Sequence, residues 1–276
     1  MKIKYTLAAL SAVALTSAAT GFAADNTTNN PAEPAMASTT APAEDAWQFG
    51  VAVPLWAPQI DGNVTVQGRQ QDVNINFSQL REHLDATFAL AVEARKGKFG
   101  MFGDVGYMKF SADGTVSGAQ ASSGLKFLVA DAGVSYLIVK TGTEHPFVLE
   151  GTLGVRYWYT STDISVHGPL GFTPLFSGSK TMDLVDPVIG LRGSQYLTQK
   201  FHLDFAGDIG GFGISDNQAE LDWAATGAAT YDFAKWFSLS AGYKALGVDA
   251  SNGSGAGQNG VNLTFHGVLI AAKFTF

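Results

Sequence analysis

The residues with chemistry to offer in this chain are charged, and they share one parity of alternating segments. Glu93 and Arg95 stand two residues apart, and Asp104, Asp131, Glu150, Arg156, Asp186, Arg192, Asp204, Asp208 and Lys244 fall in the same kind of apolar/polar alternation, with Asp222 and Lys273 beside them. In extended chain, alternate residues share a face, so these groups are expected to meet across a common interior, separated by Gly, Ala, Ser and Thr. Acids outnumber bases in the set. Two kinds of chemistry follow. Arg–carboxylate forks can close into a rigid network, or water can fill the space and the excess of acid can favour small cations. Both readings stand on the sequence.

Nucleophilic and metal chemistry have little to build on. The chain has no Cys, which removes thiolates, disulfides and thiolate-bound metals. Its five His are scattered without ligand spacing. Asp163 with His167 and Asp85 with His83 approach an acid–imidazole pair, each within a loop, while His202 lies near one rim and His266 has the outward parity. The glycines of 207–213 are followed by neither a helix pattern nor Lys-Ser/Thr, so they are no phosphate loop. The expectation is no catalytic residue, no cofactor and no metal. A net charge of −7 without a basic patch argues against nucleic acid.

The elements that must hold the charged set are strands. Charged residues make up only 15% of the chain, aromatics 12%, and there are 32 Gly, a mix suited to many strands, tight turns and aromatic rims. From Trp47 onward the dominant period is two. Strands are expected at 46–56, 86–96, 99–110, 125–138, 146–160, 183–197, 201–212, 219–233, 236–248 and 261–276, with the odd or even residues such as Phe49, Leu55, Phe88, Leu153, Ile189 and Ile270 outward. Short turns near 97, 141, 199 and 234 alternate with long connections at 57–85, 111–124, 161–182, 213–218 and 249–260. In 57–85, Val64, Val66, Val73, Ile75 and Phe77 alternate about Gly68 and suggest a hairpin, and Ser78 is placed to cap a short helix through Leu84. The apolar run Gly168–Phe176 in 161–182 suggests loop packing or a binding surface.

Residues 1–24 read as a secretory signal: Lys2 and Lys4, then an apolar stretch, then small residues around Ala23. Residues 25–45 hold three Pro and no aromatic and read as a disordered periplasmic linker. No later stretch is long and apolar enough for a membrane helix. A chain that crosses a membrane with strands must close them on themselves. The expected fold is therefore all-β: a transmembrane up-and-down antiparallel barrel over 46–276, with about ten strands, eight being the alternative. Both ends and the short turns then lie in the periplasm, and the long connections lie at the cell surface. Lys109 and Lys126 share the outward parity at the outer rim, where lipid phosphates lie.

The closing segment VLIAAKFTF (268–276) ends on Phe276, with Phe274, Ala272 and Ile270 at every second position before it. It resembles the C-terminal signature of outer-membrane barrels, which implies reading by the barrel-assembly machinery during biogenesis. EARKGKFGMFGDVGYMKF (93–110), DPVIGLRG (186–193), GDIGGFG (207–213) and AGYKAL (241–246) resemble a group of small proteobacterial outer-membrane barrel proteins of largely unassigned, porin-like character. The resemblance implies the fold and an outer-membrane location. It implies contact with outer-membrane lipid and lipopolysaccharide, and carries no catalytic or ligand residues. The functional expectation is a narrow porin-like channel for small solutes or ions, or a passive structural barrel. A surface-interaction protein acting through 57–85 and 161–182 is the alternative, and a rim enzyme the third.

Overall fold

A computed structural model describes residues 46–116, 119–168, 174–214 and 218–276. The expected signal (1–24), the linker (25–45) and the centre of the Gly168–Phe176 run lie outside the described residues. Among the described residues one antiparallel sheet holds eleven strands: β1 (Gln48–Val66), β2 (Arg69–Ile75), β3 (Leu84–Lys96), β4 (Phe99–Val116), β5 (Ala119–Thr141), β6 (Phe147–His167), β7 (Pro174–Tyr196), β8 (Phe201–Gly211), β9 (Leu221–Ala234), β10 (Phe237–Asn252) and β11 (Asn259–Thr275). From β3 to β11 each strand pairs with the next, and β1 pairs with β11 from Gly50↔Thr275 to Thr65↔Gly260, which closes the barrel.

The strand count departs from the expected ten, and eight is excluded. The additional strand is β2, which pairs with β1 alone. β1 is shared along its length: Gln48–Ala52 pair with β3, and Ile60–Val66 pair with β2. Pro54 and Pro58 fall in the stretch between, where neither ladder runs, and a residue without an N–H costs least there. The hairpin turns at Gln67-Gly68, both with positive φ, as the alternation about Gly68 suggests. Phe77 does not continue the hairpin; it opens the helix α1 (Phe77–Glu82). The expected cap is corrected too. Asn76, not Ser78, caps the helix: its side chain accepts from the Gln79 N–H, and the Gln79 side chain accepts from the Asn76 N–H, both at 3.0 Å. Asn76 suits the role because it lies just before the first helical residue, where a short acceptor reaches the free N–H groups.

Segments 111–124 and 161–182, read as loops, are largely strand. β5 and β7 run 23 residues each, against 11 for β8. Their sequence there is Ser-, Thr- and Gly-rich on the outward parity, which hides the alternation that the apolar belt makes obvious lower down. On β5 the belt runs from Tyr136 to Lys126, about 10 residues of roughly 3.3 Å each, which tilts to about 25 Å of height. Outward side chains along it stand bare, Leu55 at 66% and Leu153 at 60% exposure. Aromatic pairs mark the short-turn rim, with ring centroids 5.3 Å apart for Phe237–Phe274 and 6.2 Å for Trp236–Phe274 and for Phe147–Phe205. Ile270 and Phe276 point outward, and Phe276 and Phe49 exchange backbone hydrogen bonds of 2.8 and 3.1 Å.

Candidate functional site

The inward faces fill the barrel in layers, and the register dictates which groups meet. Near the short-turn rim Asp204 accepts from Ser194 Oγ and Thr230 Oγ1, both at 2.5 Å, and lies 3.0 Å from His202 Nδ1. Above it, Glu150 and Arg192 are direct cross-strand partners on β6 and β7. Arg192 Nε donates to Glu150 at 2.8 Å, and its Nη2 donates to Glu93 at 2.8 Å and to Ser135 Oγ at 3.0 Å. Arg95 pairs with Glu93 at 3.2 Å and also with Glu150. The Arg192 guanidinium lies 5.2 Å from the centre of the Phe102 ring. Room for that ring comes from Gly133, where a Cβ would stand 2.7 Å from Phe102 and 2.5 Å from the Leu153 carbonyl.

The middle layer is acidic. Asp104, Asp131, Arg156 and Asp186 form one row across β4 to β7. Arg156 grips Asp131 with two nitrogens at 2.8 and 3.2 Å, reaches Asp222 at 2.8 Å, and lies 3.1 Å from Asp208. Trp158 Nε1 donates to the other Asp222 oxygen at 3.1 Å, and the Ala219 N–H donates to Asp186 at 2.8 Å. Lys244 is buried here, 5.7 Å from the Trp56 ring centre. The eleven charged residues singled out from the sequence, from Glu93 to Lys244, thus all point inward. The structure brings ten of them into the two charged layers and leaves Asp204 near the rim.

The outer half of the lumen is a correction to the sequence reading. Its inward positions were expected to be small or polar, but Met108, Phe110, Leu125, Phe127, Val129, Trp158, Leu184, Leu246 and Phe265 fill it and are buried. Phe127 packs edge-on against Trp158 at 5.7 Å and tilted against Phe265 at 6.3 Å. Val73 of β2 and Leu80 of α1 join the same cluster, so the 57–85 segment roofs it. The signal was present: Phe110, Phe127 and Phe265 sit on the inward parity of strands whose lower halves carry charge.

The rim pairs do not assemble. Asp163 and His167 both lie on β6, opposite Gly124 and Gln120 of β5, with no contact described between them. Asp85 accepts from Ser111 Oγ at 2.5 Å and pairs with Lys109 at 3.3 Å rather than with His83. On the outward face above the belt, Ser122, Gly124, Asp163, Ser165, Ser177, Gly178 and Ser179 line a shallow groove of about 380 Å³. Among the described residues no group of His, Asp and Glu is arranged to hold a metal ion. A constellation missed from the sequence stands on the outward face: His266, with Asp61 and Tyr243 hydrogen-bonded to its two ring nitrogens. Asp61 fell within a segment read as a loop, so its parity was not legible.

No family model matches the chain, and no curated protein matches it. Solved structures do. It is similar to the outer membrane protease OmpT from Escherichia coli, at 12% identity and a TM-score of 0.48, over 83% of this chain and 96% of that one. It is similar to Ail, the attachment invasion locus protein of Yersinia pestis, at 12% identity and a TM-score of 0.36, over 83% of this chain and 99% of that one. It is also similar to the Pseudomonas putida toluene transporter TodX, at 9% identity and a TM-score of 0.31, over 85% and 91%.

Proposed function

We propose that the protein spans the outer membrane as a sealed barrel and works at the cell surface through the strands that rise beyond the belt. The observation that carries this is the apolar filling of the outer half of the lumen. A hydrated ion on that path meets buried Phe110, Phe127 and Phe265 rather than water. Membrane insertion is supported by the belt, because contiguous apolar surface of this extent is not left to water. It is also supported by the closed ladder, which leaves no open sheet edge in lipid. The short-turn rim is then periplasmic. The Ser- and Asp-lined face of β5, β6 and β7 is the surface offered to partners, and Lys109 and Lys126 meet lipopolysaccharide at the belt's outer edge.

The test is conductance of the refolded protein in a planar bilayer. Silence is expected from a chain that shows the heat-dependent gel shift of a folded barrel. Steady openings overturn the sealed reading. A narrow cation-selective pore is the second reading, favoured by the excess of acid around Arg156 and Lys244. Replacing Phe110, Phe127 and Phe265 together by Ser separates the two: conductance that appears only in this variant places the barrier in the apolar layer.

A further inference from the structure

The outward face carries an acid–imidazole–hydroxyl series that a sealed barrel does not use. Asp61 of β1, His266 of β11 and Tyr243 of β10 lie on three adjacent strands. His266 Nε2 is 2.8 Å from Asp61 Oδ2, and its Nδ1 is 2.5 Å from the Tyr243 hydroxyl. The second Asp61 oxygen accepts from Asn74 Nδ2 at 2.5 Å, which fixes the carboxylate. The Gln59 amide lies 3.3 Å from both ring nitrogens. With the Nε2–H given to the carboxylate, Nδ1 is left as acceptor for the tyrosine O–H. An acid that sets the tautomer, an imidazole that takes the proton and a hydroxyl that loses it make up the arrangement for activating an oxygen nucleophile.

The depth of the series indicates its substrate, and this step rests on the membrane reading above. Below His266 on the same face come Val268 and Ile270, each more than half exposed, and above it come Thr264 and Asn262. The series therefore stands where the apolar belt gives way to polar surface. In a bilayer that is the level of the ester groups joining acyl chains to headgroups.

We propose that Tyr243 is the nucleophile of an acyl-transfer site at the membrane boundary, with His266 as base, Asp61 as positioning residue and an ester-linked membrane lipid as substrate. Tyr243 Oη attacks the ester carbonyl carbon and its proton passes to His266 Nδ1. The ester C–O bond breaks, the leaving alkoxide takes that proton, and the acyl group remains on the tyrosine. Water then gives a proton to Nδ1 and attacks the aryl ester. A carboxylic acid leaves, and the proton returns to the tyrosine oxygen.

The test reads nucleophilicity apart from membrane insertion. The refolded full chain is treated in detergent with an aryl sulfonyl fluoride, and the labelled tyrosines are mapped by mass spectrometry. Tyr136 and Tyr231, 57% and 42% exposed against 48% for Tyr243, are internal comparators of similar access. Tyr243 is expected to label on the order of 10²-fold faster than either, the scale of a positioned general base. His266→Gln and Asp61→Asn, both retaining the heat-dependent gel shift, should fall to the comparators' rate, and Tyr243→Phe should lose the site. Equal labelling of all three tyrosines in folded protein overturns the proposal. In phosphatidylglycerol vesicles, release of fatty acid that is lost in Tyr243→Phe is expected. Fast labelling in protein that floats with the vesicles but releases no fatty acid overturns the lipid substrate. Fast labelling in protein that fails to float overturns the membrane reading, and with it the lipid as substrate.

Discussion

The two halves of the lumen are built on the same strands and solve opposite problems. The half nearer the short turns must bury charge and still satisfy it. It does so with guanidinium groups, each shared by several carboxylates: Arg192 between Glu93 and Glu150, Arg156 among Asp131, Asp208 and Asp222. The outer half fills its space with rings and branched chains around Phe127 and Phe265. A buried charge is stabilising only while its partners are in place, whereas an apolar layer loses stability in proportion to the volume removed. The charged half therefore ties particular strands together through shared pairs. The apolar half fills the lumen, which in the reading proposed above blocks passage.

Breaking the charged half should cost most. Arg156→Met strands three carboxylates, and a loss of about 3–5 kcal/mol is expected in urea unfolding from lipid vesicles. Adding Asp131→Asn to that variant should recover part of the loss, because it removes one of the stranded charges, and additive losses would show that the layer is not a network. In the outer half Leu125→Ala should cost about 2–5 kcal/mol and leave a cavity. That loss should be insensitive to neutralising Arg156 or Glu150, and a strong coupling would erase the distinction between the halves.

Smaller effects sharpen the boundary. Gly133→Ala places a methyl against Phe102 and the Leu153 carbonyl, and about 1–3 kcal/mol is expected from overpacking. Gly133→Ala should also disturb the Arg192–Phe102 stacking, read as a change in the coupling between Arg192 and Glu150. The smallest change concerns the roof. Asn76→Ala removes the cap of α1 and should cost about 1 kcal/mol, read as faster amide exchange over Phe77–Glu82 with the charged layers unaffected.

Much of this was legible in the sequence because a barrel strand has period two, and charge on the parity opposite the apolar belt points into the barrel. Glu93, Arg95, Glu150, Arg156 and Arg192 could be assigned to the interior on that ground. The strand positions from β3 to β11 followed from the same alternation, short mainly where outward residues change from apolar to Ser, Thr and Asp above the belt. Several features were not legible. The partners of Arg156 come from β5, β8 and β9, and which carboxylates share it depends on strand stagger and barrel curvature. The extra strand β2 arises because β1 changes partner midway. The alignment of Asp61, His266 and Tyr243 depends on the β1–β11 closure, which joins residues 205 apart in sequence. Alternation along one strand is a local property of the chain, so the sequence by itself determined which side chains face inward. Contacts across a closed sheet depend on where distant strands are brought side by side, and only the tertiary structure decided that apolar side chains fill the outer half of the lumen.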